Sequence, residues 1–155
     1  MLERISQTTF YKHCPNVVAQ LSGLTEFAES SPLTPSLLHL VRLRASQINR
    51  CGFCQKMHAD EARRDGETQD RLDVLAAWRE LSCFTAQERA ALAWTEALTL
   101  VCNSEITEDI YQNTLEAFGQ QGLLDLTMAI VQINSWNRIS VSLCFKPDIE
   151  QRGEQ

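Results

Sequence analysis

The stretch from Leu123 to Leu143, LLDLTMAIVQINSWNRISVSL, is the feature that most narrows what this chain can fold into. Its apolar residues cover most of a helical surface, and such a helix has to be buried in a core or at a subunit interface. The rest of the sequence shows no convincing strand alternation, and its 155 residues include only six glycines and four prolines. We therefore expect an all-α fold, a single-domain bundle of six or seven helices over residues 1–155.

Local signals predict where the first helices begin and end. A helix over 15–30 would start with a proline in its first turn, and one over 34–49 with a threonine cap followed by a proline. A third would start at the cysteine pair near residue 51 and end near Gly66, a common residue at a helix C-terminus.

The second half of the chain carries further helix signals. A short amphipathic segment is expected over 72–78. Thr85 and Glu88 have the spacing of a capping box, and a long helix that is apolar on one face follows them. Thr107 can cap a helix that Gly119 ends.

Composition argues against several classes of function. The formal net charge is −6 and no basic run occurs, so a nucleic-acid partner is not expected. No run of 18 apolar residues is present, so we expect no membrane span. The N-terminus lacks the apolar region of a secretory signal, which makes the cytoplasm the expected location.

The sequence contains six cysteines, but only Cys51 and Cys54 form a spaced pair. In a reducing compartment such a pair is more often catalytic or metal-binding than structural. The other four are isolated, and we interpret them as small apolar residues of the core or surface: Cys14, Cys83, Cys102 and Cys144.

The segment CGFCQKMH, residues 51–58, places reactive groups within two helical turns. Cys51 would lie in the first turn of a helix, where the helix dipole lowers the pKa of a thiol. Cys54 follows at i+3 and His58 four residues later, so all three share one face. The arrangement offers a nucleophilic thiol, a second thiol to close a disulfide and a base, which together suit peroxide reduction.

The segment LLHLVRLRASQINRCGFCQKMHADEARRDGET resembles the signature of the alkylhydroperoxidase D-like proteins of the carboxymuconolactone decarboxylase superfamily. The resemblance extends over about residues 33–145. It implies an all-helical subunit that forms a homotrimer or homohexamer. It also implies a small hydroperoxide as substrate and no resident cofactor. A dithiol donor, such as a dihydrolipoyl group or a redox partner protein, would supply the electrons.

The same resemblance implies roles for the three residues of the motif. Cys54 would attack the peroxide, Cys51 would be its disulfide partner, and His58 would relay protons. Helix-dipole reasoning alone would favour Cys51 as the more acidic thiol. The closer register of His58 to Cys54 supports the family's assignment.

One position departs from the family's pattern. Its relay usually includes a glutamate twelve residues before the first cysteine, and here that residue is His39. The nearest upstream acid, Glu29, lies beyond a proline break. We expect His39 to lie beside His58, to pass protons, and to give one of the two imidazoles a lowered pKa. On this interpretation, replacing His39 by glutamate raises peroxide turnover.

The residues alone leave a second interpretation open. His39, Cys51, Cys54 and His58 would make a two-cysteine, two-histidine zinc site in a non-enzymatic or redox-sensing oligomer. Thiol chemistry is favoured, with Cys54, Cys51, His58 and His39 as the candidate catalytic residues and no metal.

Overall fold

Residues 4–149 are described by a computed structural model, and every regular element in them is helical. The expected all-α fold is therefore confirmed. The elements follow in the order α1 (Gln7–His13), α2 (Pro15–Gly23), α3 (Pro35–Ile48), α4 (Gly52–Arg64), α5 (Gln69–Asp73), a 3-10 helix (Leu75–Glu80), α6 (Ala86–Thr99) and α7 (Glu108–Leu143). None of these helices is both long enough and apolar enough to cross a membrane.

Helix α3 lies at the centre because it buries side chains on two of its sides. Val41 packs in a cluster with residues of α6 and α7, among them Trp94 and Leu126. Leu40 packs in a second cluster with residues of α4, the 3-10 helix and α6, among them Leu75. Both Leu40 and Val41 are completely buried, so α3 joins the two clusters.

The predicted helix caps are confirmed. The Thr34 hydroxyl accepts a hydrogen bond from the third residue of α3, and the Thr107 hydroxyl does the same for α7. Thr85 and Glu88 form the reciprocal capping box at the start of α6. These bonds satisfy backbone N–H groups that have no partner within the helix.

Helix α7 is interrupted at Gly119, where φ is 67° and ψ is 175°. The predicted end of a helix at this glycine is thus present as a break, after which the chain resumes the helix. The apolar segment beyond it buries only one side in the single chain. Leu124, Met128 and Val131 on the other side are 49%, 37% and 42% exposed.

The helix predicted over 15–30 begins at Pro15 as expected, but its predicted end is wrong, because α2 ends at Gly23. The Gln132 side chain from α7 donates to the carbonyl oxygen of Leu21 at 2.7 Å. In a helix that continued, a backbone N–H would make this bond. Helix α1 is absent from the sequence prediction. None of its residues is buried, so it carries no periodic apolar pattern.

The turn between α3 and α4 directly precedes the cysteine pair, and hydrogen bonds hold its conformation. Arg50 has a left-handed φ of 56°, and the N–H of Cys51 donates to the Ser46 carbonyl oxygen at 3.0 Å. The Asn49 side-chain amide donates to Asn137 of α7 at 2.8 Å, and Asn137 donates to the Ser46 hydroxyl at 3.0 Å. This buried network holds the start of α4 against α7.

Candidate active site

Cys51 and Cys54 are joined by a disulfide, with an S–S distance of 2.12 Å. Cys51 is the residue that caps α4, and its sulfur accepts a hydrogen bond from the Cys54 N–H at 3.2 Å. Both residues are only 1% exposed. A sulfur in this position faces the positive end of the helix dipole, which favours a thiolate after reduction.

A pocket of about 240 Å³ reaches the disulfide on the Cys54 side. Four polar or reactive side chains from α3 and α4 line it: Arg42, Cys54, His58 and Glu61. The remaining wall is largely aromatic and aliphatic, with contributions from α1, α4, α7 and the residues after α7: Tyr11, Phe53, Met57, Ile133, Trp136 and Phe145. The site therefore combines a few placed polar groups with apolar walls, as small-molecule pockets commonly do.

His58 lies between the pocket and a carboxylate. Its Nδ1 is 2.8 Å from Oε2 of Glu61, which follows at i+3 on the same face of α4. This hydrogen bond holds the pKa of Glu61 below its usual value, so Glu61 is ionised near pH 7 and can only accept. Nδ1 of His58 must therefore carry the proton.

Burial lowers the pKa of His58, and Glu61 opposes that shift. The ring is consequently neutral near pH 7, with its lone pair on Nε2. That atom is buried and has no hydrogen-bond partner among residues 4–149. A buried nitrogen without a partner, in a pocket that also exposes a reactive sulfur, is arranged as a base.

Residues 15–97 match the sequence model of the carboxymuconolactone decarboxylase family. The chain belongs to this family. An uncharacterised Bacillus subtilis protein, YdfG, is 33% identical over 143 residues, which cover 92% of this chain and 95% of YdfG.

Solved structures place the chain among the alkylhydroperoxidase D-like members of the family. A protein of unknown function from Agrobacterium tumefaciens, described as a candidate antioxidant defence protein AhpD, superimposes with a TM-score of 0.86. It is 34% identical, and the match covers 96% of this chain and 100% of that one. A Ralstonia eutropha peroxidase-related protein described as an alkylhydroperoxidase AhpD core shares the fold at a TM-score of 0.73, with 17% identity and coverage of 90% and 75%.

His39, at the position where the resemblance implied a glutamate, is buried. Its Nε2 is 2.7 Å from Asp65 Oδ2, and its Nδ1 is 3.9 Å from Glu61 Oε2. Both histidines thus approach the same carboxylate oxygen of Glu61 through their Nδ1 atoms. The lowered pKa expected for one imidazole is present at His58, but burial is its main cause and the charge of His39 a minor one.

The carboxylate beside His58 is Glu61, which the sequence analysis did not identify. Sequence reasoning looked for an acid only upstream of the cysteines and considered Glu29. Glu61 supplies the charge from the downstream side, in the short run HADE. The i+3 spacing from His58 is a signal that could have identified it, since residues three apart on a helix are neighbours.

The zinc interpretation is not supported by the arrangement of its four residues. The two sulfurs are bonded to each other, and His39 and His58 each face a carboxylate. Among residues 4–149, no group of three or more histidine, cysteine or acidic side chains is placed to hold a metal ion. The same residues are instead arranged around a disulfide.

Proposed function

We propose that the protein is a thiol peroxidase that reduces small organic hydroperoxides through a Cys51–Cys54 disulfide cycle. The observation that carries the proposal is the orientation of His58, whose Nδ1–H is held by Glu61 while its buried Nε2 has no partner in the pocket that Cys54 lines. A base held by a carboxylate next to a nucleophile is the arrangement that activates thiols and hydroxyls in many enzymes.

The reduced enzyme begins the reaction with a proton transfer. Nε2 of His58 takes the proton of the Cys54 thiol, and Glu61 stabilises the imidazolium that forms. The Cys54 thiolate then attacks the outer oxygen of the hydroperoxide. The O–O bond breaks, and the leaving alkoxide takes the proton from His58 as the alcohol departs.

Cys54 is now a sulfenic acid, two electrons more oxidised than the thiol. The Cys51 thiolate attacks its sulfur, the hydroxyl leaves as water with a proton, and the disulfide forms. An external dithiol, such as a dihydrolipoyl group, then reduces the disulfide and itself becomes a disulfide. The sum is hydroperoxide plus dithiol giving alcohol, water and disulfide.

The two cysteines differ in their surroundings, which supports their different roles. Cys54 shares the 240 Å³ pocket with His58, whereas Cys51 lines a separate pocket of about 160 Å³ between the start of α4 and the residues after α7. A peroxide in the larger pocket therefore meets Cys54 together with the base.

We further propose that the subunit works as a homotrimer or homohexamer. Leu124, Met128 and Val131 recur at i, i+4 and i+7 on one exposed side of α7, and apolar residues in such a row suit an interface. Light scattering at micromolar concentration tests this point, and a mass of one subunit would contradict it.

Peroxide titration of the reduced protein tests the proposed activity. Wild type should consume one equivalent of tert-butyl hydroperoxide and form one disulfide within the peptide that spans both cysteines. In Cys51→Ser, a dimedone probe should trap a sulfenic acid on Cys54. Cys83→Ser, which removes an exposed cysteine outside the site, is the matched control and should behave as wild type.

Two results would overturn the proposal. One is a reduced protein whose thiols do not react with the peroxide faster than a free thiol does. The other is a sulfenic acid trapped on Cys51 in Cys54→Ser, with none on Cys54 in the reverse variant, which would invert the roles.

A further inference from the structure

Arg42 contributes a cation to the pocket and uses few of its donors within the chain. A guanidinium carries five N–H donors. Among residues 4–149 it makes a single hydrogen bond, from Nη2 to the Gln132 side-chain oxygen at 3.4 Å, and forms no salt bridge. Burial lowers the pKa of Arg42, which marks a desolvated charge that Glu61 only partly offsets. A desolvated cation with unused donors is poised to bind an anion.

Arg42 shares the pocket with a second polar group that has an unused hydrogen-bonding site, Nε2 of His58, on a side chain that is 8% exposed. The two groups lie on different helices, α3 and α4, and both line the cavity that contains Cys54. Glu61, the pocket's carboxylate, pairs with His58, and no salt bridge joins Arg42 to an acidic side chain among residues 4–149.

The rest of the pocket limits the body of the ligand. Its walls include the side chains of Phe53, Met57 and Trp136, which favour an apolar or aromatic group. Its volume of about 240 Å³ lies just below the range of about 300–1,000 Å³ that is usual for ligand pockets. A compact molecule fits this space, and a long acyl chain does not.

We infer that the substrate is a small organic hydroperoxide that also carries a carboxylate, which Arg42 binds while the hydroperoxide group lies against Cys54 and His58. The inference rests on the proposed peroxidase function and specifies its substrate class. Arg42 takes no part in electron or proton transfer, and the carboxylate leaves unchanged on the alcohol product. Its role is to bind and orient.

A matched pair of substrates tests the inference. Cumene hydroperoxide and its para-carboxylate have the same reacting group and differ in one charge. For wild type, kcat/KM should be about 10- to 100-fold higher for the carboxylate, the range expected of a charge-assisted hydrogen bond. In Arg42→Gln the ratio of the two rate constants should fall towards one, and Arg42→Lys should keep part of the preference.

The control variant is Arg64→Gln, which removes the same charge from an exposed position at the end of α4. It should keep the wild-type ratio. Equal losses for both substrates in Arg42→Gln would show that Arg42 supports the fold or the Cys54 thiolate, and would overturn the inference. So would a wild-type ratio near one.

Binding of unreactive ligands separates this inference from the proposed reaction. Calorimetric titration of the oxidised protein with 4-isopropylbenzoate should show binding that is lost in Arg42→Gln, while the neutral 4-isopropylbenzamide binds at least tenfold more weakly. This result would support the anion site even if no peroxide were reduced. Equal binding of acid and amide would refute the anion site even if peroxidase activity were present.

Discussion

Two side-chain clusters, each built around one glutamate, contact α3, and they differ in how completely their polar atoms are hydrogen-bonded. Glu96 of α6 accepts from Arg44 at 2.7 Å and from the Trp78 indole at 2.9 Å, and it also pairs with Arg79. Glu61 of α4 accepts from His58 at 2.8 Å. In the first cluster the glutamate and its donors pair with one another, whereas in the second, among residues 4–149, Nε2 of His58 and Nδ1 of His39 have no hydrogen-bond partner.

The contrast is sharpest between two arginines that are two residues apart on α3. Arg44 donates to Glu96 and, at 3.1 Å, to Gln47. Within the described residues 4–149, Arg42 makes one side-chain hydrogen bond, of 3.4 Å, and it lines the pocket. A fully satisfied buried network stabilises and specifies a core, while unsatisfied polar groups cost stability and persist where function needs them. The comparison therefore indicates that Glu96 stabilises the fold and that Glu61 supports the proposed reaction.

The largest effect expected is on activity, in Glu61→Gln. An amide can donate to Nδ1 of His58, which moves the ring proton to Nε2 and removes the base from the pocket. Peroxide turnover should fall by about 10²–10⁴-fold, the usual value of general acid–base help. Stopped-flow oxidation of the reduced protein measures it, with Asp60→Asn as a control of equal charge change on the same helix.

Stability should hardly change in this variant, because the pair contains a partly exposed carboxylate, 33% exposed at its side chain. If Glu61→Gln instead unfolded at much lower denaturant with normal turnover, the assignment of the two clusters would have to be reversed.

The second effect is on stability, in Glu96→Gln. The change leaves Arg44, 16% exposed at its side chain, without its anion. Breaking a buried pair costs about 3–5 kcal/mol, and the low end applies here because Arg79, the second partner, is 56% exposed and reaches water. Urea unfolding measures the loss. Activity per folded molecule should stay at the wild-type level, and its selective loss would break the comparison.

The third effect is on the pKa of His58, and it tests how Glu61 and Arg42 act on the charge of that ring. NMR of the oxidised protein reports the ring without interference from thiol titration. The pKa of His58 should lie below about 6.5, the ordinary value. Glu61→Gln should lower it further, because Glu61 favours the charged ring, whereas Arg42→Gln should raise it, because Arg42 disfavours that charge. Shifts in the same direction would contradict the arrangement.

The same shifts fix the sign of the pH dependence of stability. Folding favours the neutral His58, so its contribution is present above pH 6.5 or so and is lost as pH falls through the lowered pKa. The lowered pKa of Glu61 acts in the same sense, with its contribution lost at still lower pH. The free energy of unfolding should therefore decrease on acidification from pH 7.

Most of the fold is readable from the sequence, because caps and apolar periods act locally. Thr85 with Glu88 and the break at Gly119 are set by neighbouring residues. The end of α2 is not readable, since Gln132, more than a hundred residues away, satisfies its carbonyls. Helix α1 buries nothing and so leaves no pattern.

The candidate site likewise has residues that the sequence predicts and residues that only the fold identifies. The disulfide and the place of His58 follow from spacing within α4. Arg42 and the closed cluster around Glu96 depend on how α3 packs against three other elements, which no local pattern encodes. Glu61 is the exception, because its spacing from His58 was local and yet its role depends on a burial that only the fold provides.

The smallest effects are expected at His39, and they decide whether the Glu61 cluster has one active histidine or two. Nδ1 of His39 is 3.9 Å from Glu61, against 2.8 Å for His58. An interaction of that length with a partly exposed carboxylate is worth at most about 1 kcal/mol, or about fivefold in rate. His39→Gln should therefore change peroxide turnover by no more than this factor.

His39→Glu gives the sharper result, because sequence and structure predict opposite signs. The family's usual glutamate at this position predicts a gain in turnover. With Glu61 already serving His58, a new carboxylate would face Glu61 and Asp65, and like charges at that distance raise the pKa of their neighbours. Glu61 would then lose its charge at a higher pH than in the wild type, so its hold on His58 would weaken on acidification and turnover should fall there instead of rising. A gain would mean that residue 39, and not Glu61, holds the relay's carboxylate position.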